Sequence, residues 1–405
     1  MSDMLRNMRL AVVSVAIVFL PVYSAFADVV TDWNTRANAI VAAAKLATPP
    51  GVRVFALVQT AVYEAVNAIT KRYPSRRLKI TAAEGASIDA AVAAANRSIL
   101  LKLIPAQQEM IENEYRQAMA AIPEGPAKTA GITVGEQAAA GVLASRSDDN
   151  PGAESYRPVT APGVYVPTVI PALTFWPTRK PWNMTKPDEV RPGPPPSLKS
   201  ELWARDYNEI KSLGILNGSK RSEEQTGVAR FWEATGPGIY YPVIRSAAAA
   251  SGRDVTQNAR LLAVAGQAMD DALIAVFDAK YFYNFWRPIT AVRNGDMDGN
   301  DATERDPSWT PFIDTPMHPE YPCAHCIVAS TIGTVIRAEI GNAQLPPLST
   351  VSTTAPGVTR RWITIDEFVR EVSEARICDG VHYRNSTEVA NAMGKKIGEL
   401  AVTKF

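Results

Sequence analysis

The chain is short of histidine and of cysteine, with three of each in 405 residues. Three cysteines are too few for a disulfide scaffold, although one pair plus one free thiol fits an oxidising compartment. The chain also lacks a surplus of either charge. Lys and Arg number 42 against 41 Asp and Glu, a net charge of +1. That balance supplies no global pull toward nucleic acid or an acidic partner, so any cationic site has to be local. After the N-terminus no uncharged run reaches membrane-spanning length, and no stable span is expected in the mature chain. The sequence shows no strand-rich region and no internal repeat.

What is present clusters. All three histidines, His318, His325 and His382, fall in the last quarter of the chain. They stand near a lysine, two arginines and a Pro-bounded turn. Histidine is the side chain that changes charge near neutral pH. A few histidines beside gathered cations point to an anion site with acid–base or nucleophilic chemistry.

Residues 1–27 read as a secretory signal peptide. Arg6 and Arg9 give a positive start, Leu10 to Leu20 is almost wholly apolar, and Ala25-Phe26-Ala27 is a small-x-small cleavage site. The mature chain is expected to begin near Asp28 and to be exported, periplasmic or secreted. From Asp32 to Arg146 apolar residues recur at three- and four-residue spacings, which predicts helices near 35–46, 52–69, 84–103, 106–121 and 128–146. Thr48-Pro49-Pro50-Gly51 reads as a break between two of them.

Residues 147–197 carry many prolines and no helical period. Their aromatics Tyr156, Tyr165, Phe175, Trp176 and Trp182 predict a docked irregular wrap. Helical patterns return at 198–213, 222–231, about 254–283, 323–341, 364–379 and 386–402. The expected class is all-α, as one domain over 28–405. Within it, 28–197 would supply N-terminal helices and the wrap, and 198–405 the bundle that carries the anion site.

Three pieces carry the chemistry. Lys280 is followed seven residues later by Arg287-Pro288. Pro288 disfavours a helical Arg287, so one helix should end there and another start with proline in its first turn. Arg287 then stands at a helix N-terminus, where anions are favoured. Next comes Pro322-Cys323-Ala324-His325, a tight turn of small residues at the start of an apolar helix. Its backbone N–H groups can hold an oxyanion, and His325 at its rim can exchange a proton. Last, Arg376 precedes His382 by six residues, and Gly380 between them permits a sharp turn. A guanidinium gives multidentate contact with oxyanions, and a neutral imidazole can ligate a metal or attack phosphorus.

In order and spacing these pieces resemble the signature of the phosphatidic acid phosphatase type 2 and vanadium haloperoxidase superfamily. That signature is Lys and Arg-Pro separated by six residues, then Pro-Ser-Gly-His, then Ser-Arg with His six after the Arg. Asp32-Trp33-Asn34, the stretch from Ala61 to Asn67, Phe231-Trp232 and the run from Thr315 to His325 resemble its soluble bacterial haloperoxidase-like branch. The resemblance implies a helical bundle and a site that holds vanadate, or phosphate in the same place. Lys280, Arg287 and Arg376 would bind the oxygens. The Cys323-Ala324 loop would add contacts, Ala324 through its backbone N–H. His325 would be the acid–base group. His382 would be the vanadium ligand, or the nucleophile of a phosphatase.

One cation cage suits five-coordinate vanadate and a phosphoryl group in transfer alike. Three functions therefore follow as expectations. The first is a haloperoxidase that uses hydrogen peroxide, a halide and an organic acceptor. The second is an exported phosphomonoesterase acting on a phosphate ester through a phosphohistidine. The third is a non-catalytic oxyanion-binding protein. Within the resemblance, His318 leans toward bromide or iodide, and Phe277, one turn before Lys280, is a candidate lining residue.

The sequence departs from the signature in four places. Cys323 stands for Ser, Ala324 for Gly, Ala375 for the Ser before the Arg, and Ser386 where many members carry Asp. A thiol donates more weakly than a hydroxyl. If the fold joins the two C-terminal motifs, Cys378 becomes a candidate disulfide partner for Cys326 or Cys323; three buried thiols are the alternative. Asp296-Met297-Asp298-Gly299-Asn300-Asp301 resembles the start of a calcium loop but lacks the Gly and Glu an EF-hand needs, and reads as a solvated acidic turn. Tyr281, Tyr283 and Trp286 read as core.

Overall fold

A computed structural model describes residues 28–75, 77–149, 152, 156–341 and 343–405. The expected signal peptide, 1–27, lies outside the described residues. Among the described residues the chain is mostly helical, with 58% helix and 5% strand, so the all-α expectation holds. The helices run in chain order as α1 (Val29–Ala43), α2 (Thr48–Thr70), α3 (Ile88–Leu103), α4 (Gln108–Ala120), α5 (Pro126–Ala144), α6 (Glu201–Leu213), α7 (Glu223–Phe231), α8 (Pro237–Ala248), α9 (Val255–Tyr283), α10 (Pro288–Arg293), α11 (Ala324–Ile340), α12 (Ile365–Cys378) and α13 (Arg384–Lys404).

Helix starts follow their caps. Asp254 and Gln257 form a reciprocal capping box for α9, and Thr364 with Glu367 does the same for α12. The Thr48-Pro49-Pro50 stretch does not break the chain as expected. It is the first turn of α2, where a proline forgoes only an N–H that has no helical partner. Helix α2 is long and apolar enough to cross a membrane, and it lies in the interior with most of its residues buried.

Helix α9 is the axis of the bundle. Of its 29 residues 22 are buried, and α2, α11 and α13 pack along it. One continuous apolar core runs from Val30 in α1 to the C-terminal Phe405. A smaller aromatic cluster of Trp203, Tyr207, Phe285, Trp286, Trp309, Tyr321 and Tyr383 packs under the α9–α10 turn.

Two elements were not expected. Helix α8 contains Pro242 in its interior, which breaks the helical signal. Burial of Ile239, Tyr240, Tyr241, Val243 and Ile244 holds the helix together regardless. An antiparallel hairpin, β1 (Leu348–Ser352) with β2 (Ala355–Trp362), follows α11. Its Ser352 hydroxyl donates to the Phe231 carbonyl at 2.6 Å, and its Trp362 packs on Trp232. The hairpin thereby props the corner after α7.

The Pro-rich wrap is tied down by buried acids of α9. Asp271 accepts from the backbone N–H groups of Trp182 and Asn183 at 2.6 and 2.8 Å, and from the Asn183 side chain at 3.2 Å. Asp270 accepts from the Trp182 indole at 2.7 Å and from Arg53 at 2.6 Å. Further along, Tyr165 N donates to the Asn284 carbonyl and Trp286 N to the Gly163 carbonyl. These bonds brace the turn that delivers Arg287. The acidic turn near 296–301 is only partly solvated. Asp298 is buried and accepts from the Trp203 indole, the Thr303 hydroxyl and the Asn300 backbone, so it closes a loop.

Candidate functional site

Four helix ends converge. Helix α9 brings Lys280 in its last turn, Arg287 caps α10, Cys323 caps α11, and α12 ends just past Arg376. Gly380 then reverses the chain at φ +85°, and any Cβ there would lie 2.4 Å from the Gly214 carbonyl oxygen. The reversal sets His382 N against the Arg376 carbonyl at 3.1 Å. Lys280, Arg287, Arg376 and His382 are each 2% exposed or less. His318, His325, Ala324 and Phe277 line a cavity of about 240 Å³ that reaches Arg376 and His382.

Backbone carbonyls hold the cations in place. Lys280 donates to the carbonyls of Pro319 and Glu320 at 2.9 and 2.8 Å. Arg287 donates to those of His318 and Val381 at 2.8 and 2.9 Å. Arg376 donates to the Trp232 carbonyl at 2.8 Å and pairs with Asp379 at 2.7 Å, while its buried Nε has no protein partner among the described residues. Three buried basic side chains stand against two buried carboxylates, Glu320 and Asp379, a surplus of one base, with burial and the nearby Arg287 holding Lys280 well below its usual range. That surplus and the orphaned guanidinium N–H suit a tetrahedral oxyanion such as vanadate or phosphate.

The His382 tautomer follows from its neighbours. Arg287 NH1 lies 3.4 Å from His382 Nε2, and a guanidinium can only donate, so Nε2 carries the lone pair. The proton is then on Nδ1, which donates to Glu320 Oε1 at 2.7 Å. Glu320 also accepts from the Tyr383 backbone N–H. Burial pushes the Glu320 carboxyl up to about 7, against the pull of Lys280 and Arg287. Burial likewise raises Asp379 to about 7, against Arg376.

Burial first, and then the cations, hold all three imidazoles well below the usual histidine range. His382 is enclosed, whereas His318 and His325 keep an edge on the cavity. His325 Nε2 lies 3.3 Å from the Ala234 carbonyl, which leaves Nδ1 as its basic nitrogen. His318 Nδ1 accepts from Arg287 NH2 at 2.9 Å, and its ring meets Phe277 edge-on at 5.1 Å.

The residues expected to form the anion site, Lys280, Arg287, Cys323, Ala324, His325, Arg376 and His382, thus lie in one neighbourhood with His318 and Phe277. Of the two alternatives for the cysteines, the structure has three buried thiols; the candidate disulfide from Cys378 is not formed. The Cys323 and Cys326 sulfurs touch, whereas the Cys378 carbonyl is held by Arg221 beside a separate surface groove. Sequence reasoning missed Glu320, Asp379 and the Trp232 carbonyl. Asp379 had a signal, because it stands three residues after Arg376 at a helix end. Glu320 had a weaker one, an acid inside the apolar Pro319–Pro322 turn.

The arrangement gathers three buried basic side chains and the His382 imidazole at the ends of four helices, a set that suits an oxyanion. Residues 260–405 match the family of the VCPO second helical-bundle domain. The fold matches that of a bacterial vanadium-dependent iodoperoxidase with a TM-score of 0.78 at 23% identity, over 93% of this chain and 96% of that one. A holo-type bacterial vanadium-dependent chloroperoxidase matches with a TM-score of 0.68 at 19% identity, over 89% and 93%. The vanadium chloroperoxidase of Curvularia inaequalis is 27% identical over 35% of this chain, and the match spans 28% of that relative's length. The likeness to this family therefore rests on residues 260–405, and the likeness to the solved vanadium-dependent haloperoxidases is one of fold.

Proposed function

We propose that the protein is a vanadium-dependent haloperoxidase that oxidises bromide or iodide with hydrogen peroxide. The observation that carries this reading is the His382 Nε2 lone pair, fixed by Glu320 and facing buried cations. When bound, vanadate supplies a Lewis acid that polarises a hydroperoxide without changing its own oxidation state. His382 would hold it, and Lys280, Arg287 and Arg376 would bind its oxygens.

The residues of the chain do the rest. The Ala324 N–H adds a donor at the head of α11, and Cys323 shapes the turn without the family's hydroxyl. His325, neutral near pH 7, would take the proton that hydrogen peroxide must lose. Glu320 keeps the His382 proton on Nδ1 throughout. His318, bonded to Arg287, reaches the cation cage and the cavity together and is positioned to tune halide preference. Leu173, Tyr240, Leu273 and Val328 make much of the cavity wall apolar, which suits an organic acceptor. The protein is further proposed to work outside the cytoplasm after loss of residues 1–27.

The test is a paired assay on the purified mature protein. Bromination or iodination that needs orthovanadate and peroxide, and that vanishes in His382→Ala, supports this reading. Hydrolysis of an aryl phosphate without vanadium, lost in the same variant, would replace it with a phosphatase. Absence of both activities would leave an oxyanion-binding protein.

A further inference from the structure

The turn that starts α11 carries two sulfurs. Cys323 caps the helix and Cys326 follows in its first turn. The Cys326 thiol donates to Cys323 Sγ with the sulfurs 2.8 Å apart, and the Cys326 backbone N–H donates to the same sulfur at 3.4 Å. Both residues are fully buried. Between them, Ala324 and His325 open onto the cavity beside Arg376 and His382. The haloperoxidase reading gives Cys326 no task.

Two cysteines separated by two residues at a helix N-terminus favour thiolate at the first and place the second within its reach. Here the two differ as that arrangement requires. Burial disfavours a thiolate at Cys323, but the Cys326 thiol and amide together with Arg376 and Lys280 bring it below the usual thiol range. Burial and the neighbouring Cys323 hold the Cys326 thiol well above that range. The geometry agrees: Cys323 Sγ accepts from both the Cys326 thiol and the Cys326 amide, so Cys326 is the proton donor of the pair. Cys378 differs from both. Burial, with help from Glu374, pushes its thiol up to about 12.

We propose that Cys323 and Cys326 form a dithiol that hydroperoxide oxidises to a disulfide in the wall of the anion site. The Cys323 thiolate attacks one oxygen of hydrogen peroxide. The O–O bond breaks, the departing hydroxide takes up a proton as water, and Cys323 becomes a sulfenic acid. The Cys326 sulfur then attacks the Cys323 sulfur. The S–S bond forms, the S–O bond breaks, and the hydroxyl leaves with the Cys326 proton as a second water. Two thiols and one hydrogen peroxide give one disulfide and two waters, with the sulfur pair losing two electrons to the peroxide. From their present contact the sulfurs need to close by less than about 1 Å to reach bonding distance. The oxidant is small enough to enter the cavity that Ala324 and His325 line, and vanadate has no part in the step.

The full-length protein, reduced and free of vanadate, is treated with hydrogen peroxide under conditions that oxidise an equal concentration of free cysteine. Its thiols are then alkylated in denaturant and mapped by mass spectrometry. Alkylatable thiols should fall from three to one, leaving Cys378. The peptide holding Cys323 and Cys326 should lose two hydrogens and regain them with dithiothreitol. In Cys326→Ser, a dione probe should trap a sulfenic acid at Cys323; in Cys323→Ser it should trap none at Cys326. Three free thiols after treatment, a disulfide involving Cys378, or a sulfenic acid trapped at Cys326 would overturn the proposal. The wild-type thiol map decides even if a serine variant does not fold.

Discussion

At the scale of single residues, Glu320 governs the site through His382. Its 2.7 Å bond to Nδ1 leaves Nε2 as the lone-pair nitrogen. Glu320→Gln should weaken orthovanadate binding by about 10–100-fold, as loss of such a partner does at metal sites, with a much smaller change in Tm. Calorimetric titration beside thermal unfolding separates the two. The imidazoles make a second prediction. Burial and cations depress all three folded-state pKa values, so the anion-free protein should keep its histidines neutral as pH falls through 6.5. Ring-proton NMR should show no midpoint near 6.5. The same depression means that the stability they contribute is present above pH 6.5 and is lost as pH falls below it. Denaturant unfolding at pH 7 and pH 5.5 checks the sign.

The cations and histidines were legible in the sequence because covalent spacing fixes them. Lys280 and Arg287 sit seven residues apart, and Arg376 and His382 six, whatever the tertiary fold. Glu320 and Asp379 were not legible in the same way. Their roles depend on which acids end up with no water, and that is decided by packing from other helices. The same holds for the carbonyl of Trp232, since every residue has a carbonyl and only the corner after α7 aims this one at Arg376.

At the scale of elements, two joints position the site. Gly380 turns the chain back between α12 and α13 at a φ that other residues rarely adopt, against the Gly214 carbonyl. Gly380→Ala should cost about 2 kcal/mol or more from backbone strain alone. It should also weaken oxyanion binding, because the displaced turn carries His382; urea unfolding and phosphate titration read the two effects. The second joint is the wrap. Asp271 satisfies two buried backbone N–H groups and the Asn183 side chain. Asp271→Ala should destabilise the protein by about 3 kcal/mol, since the buried donors lose their acceptor. Hydrogen exchange at Trp182 and Asn183 should quicken well before the amides of α9 respond. The wrap's docking was legible from its aromatics, but its anchors were not, because a run such as Asp270-Asp271 in a helix ordinarily reads as a solvated face. Helix α8 and the hairpin escaped because an internal proline and a short Thr-rich run carry weak local signals, and burial against Phe231 and Trp232 decides both.

At the scale of the whole molecule, the bundle serves to bury charge. The core runs from α1 to Phe405, yet Lys280, Arg287, Arg376, Glu320 and Asp379 are buried with it, each held by carbonyls, by N–H donors or by an opposite charge. Such an interior is costly unless an anion completes it, so oxyanion binding should stabilise the fold. Titration of the purified protein with orthovanadate, for wild type and His382→Ala, tests that cage most directly. A cage centred on His382 predicts one vanadate per chain, displaced by phosphate, with affinity at least about 100-fold weaker in the variant. Absence of binding by the wild type, or equal affinity in His382→Ala, would contradict it.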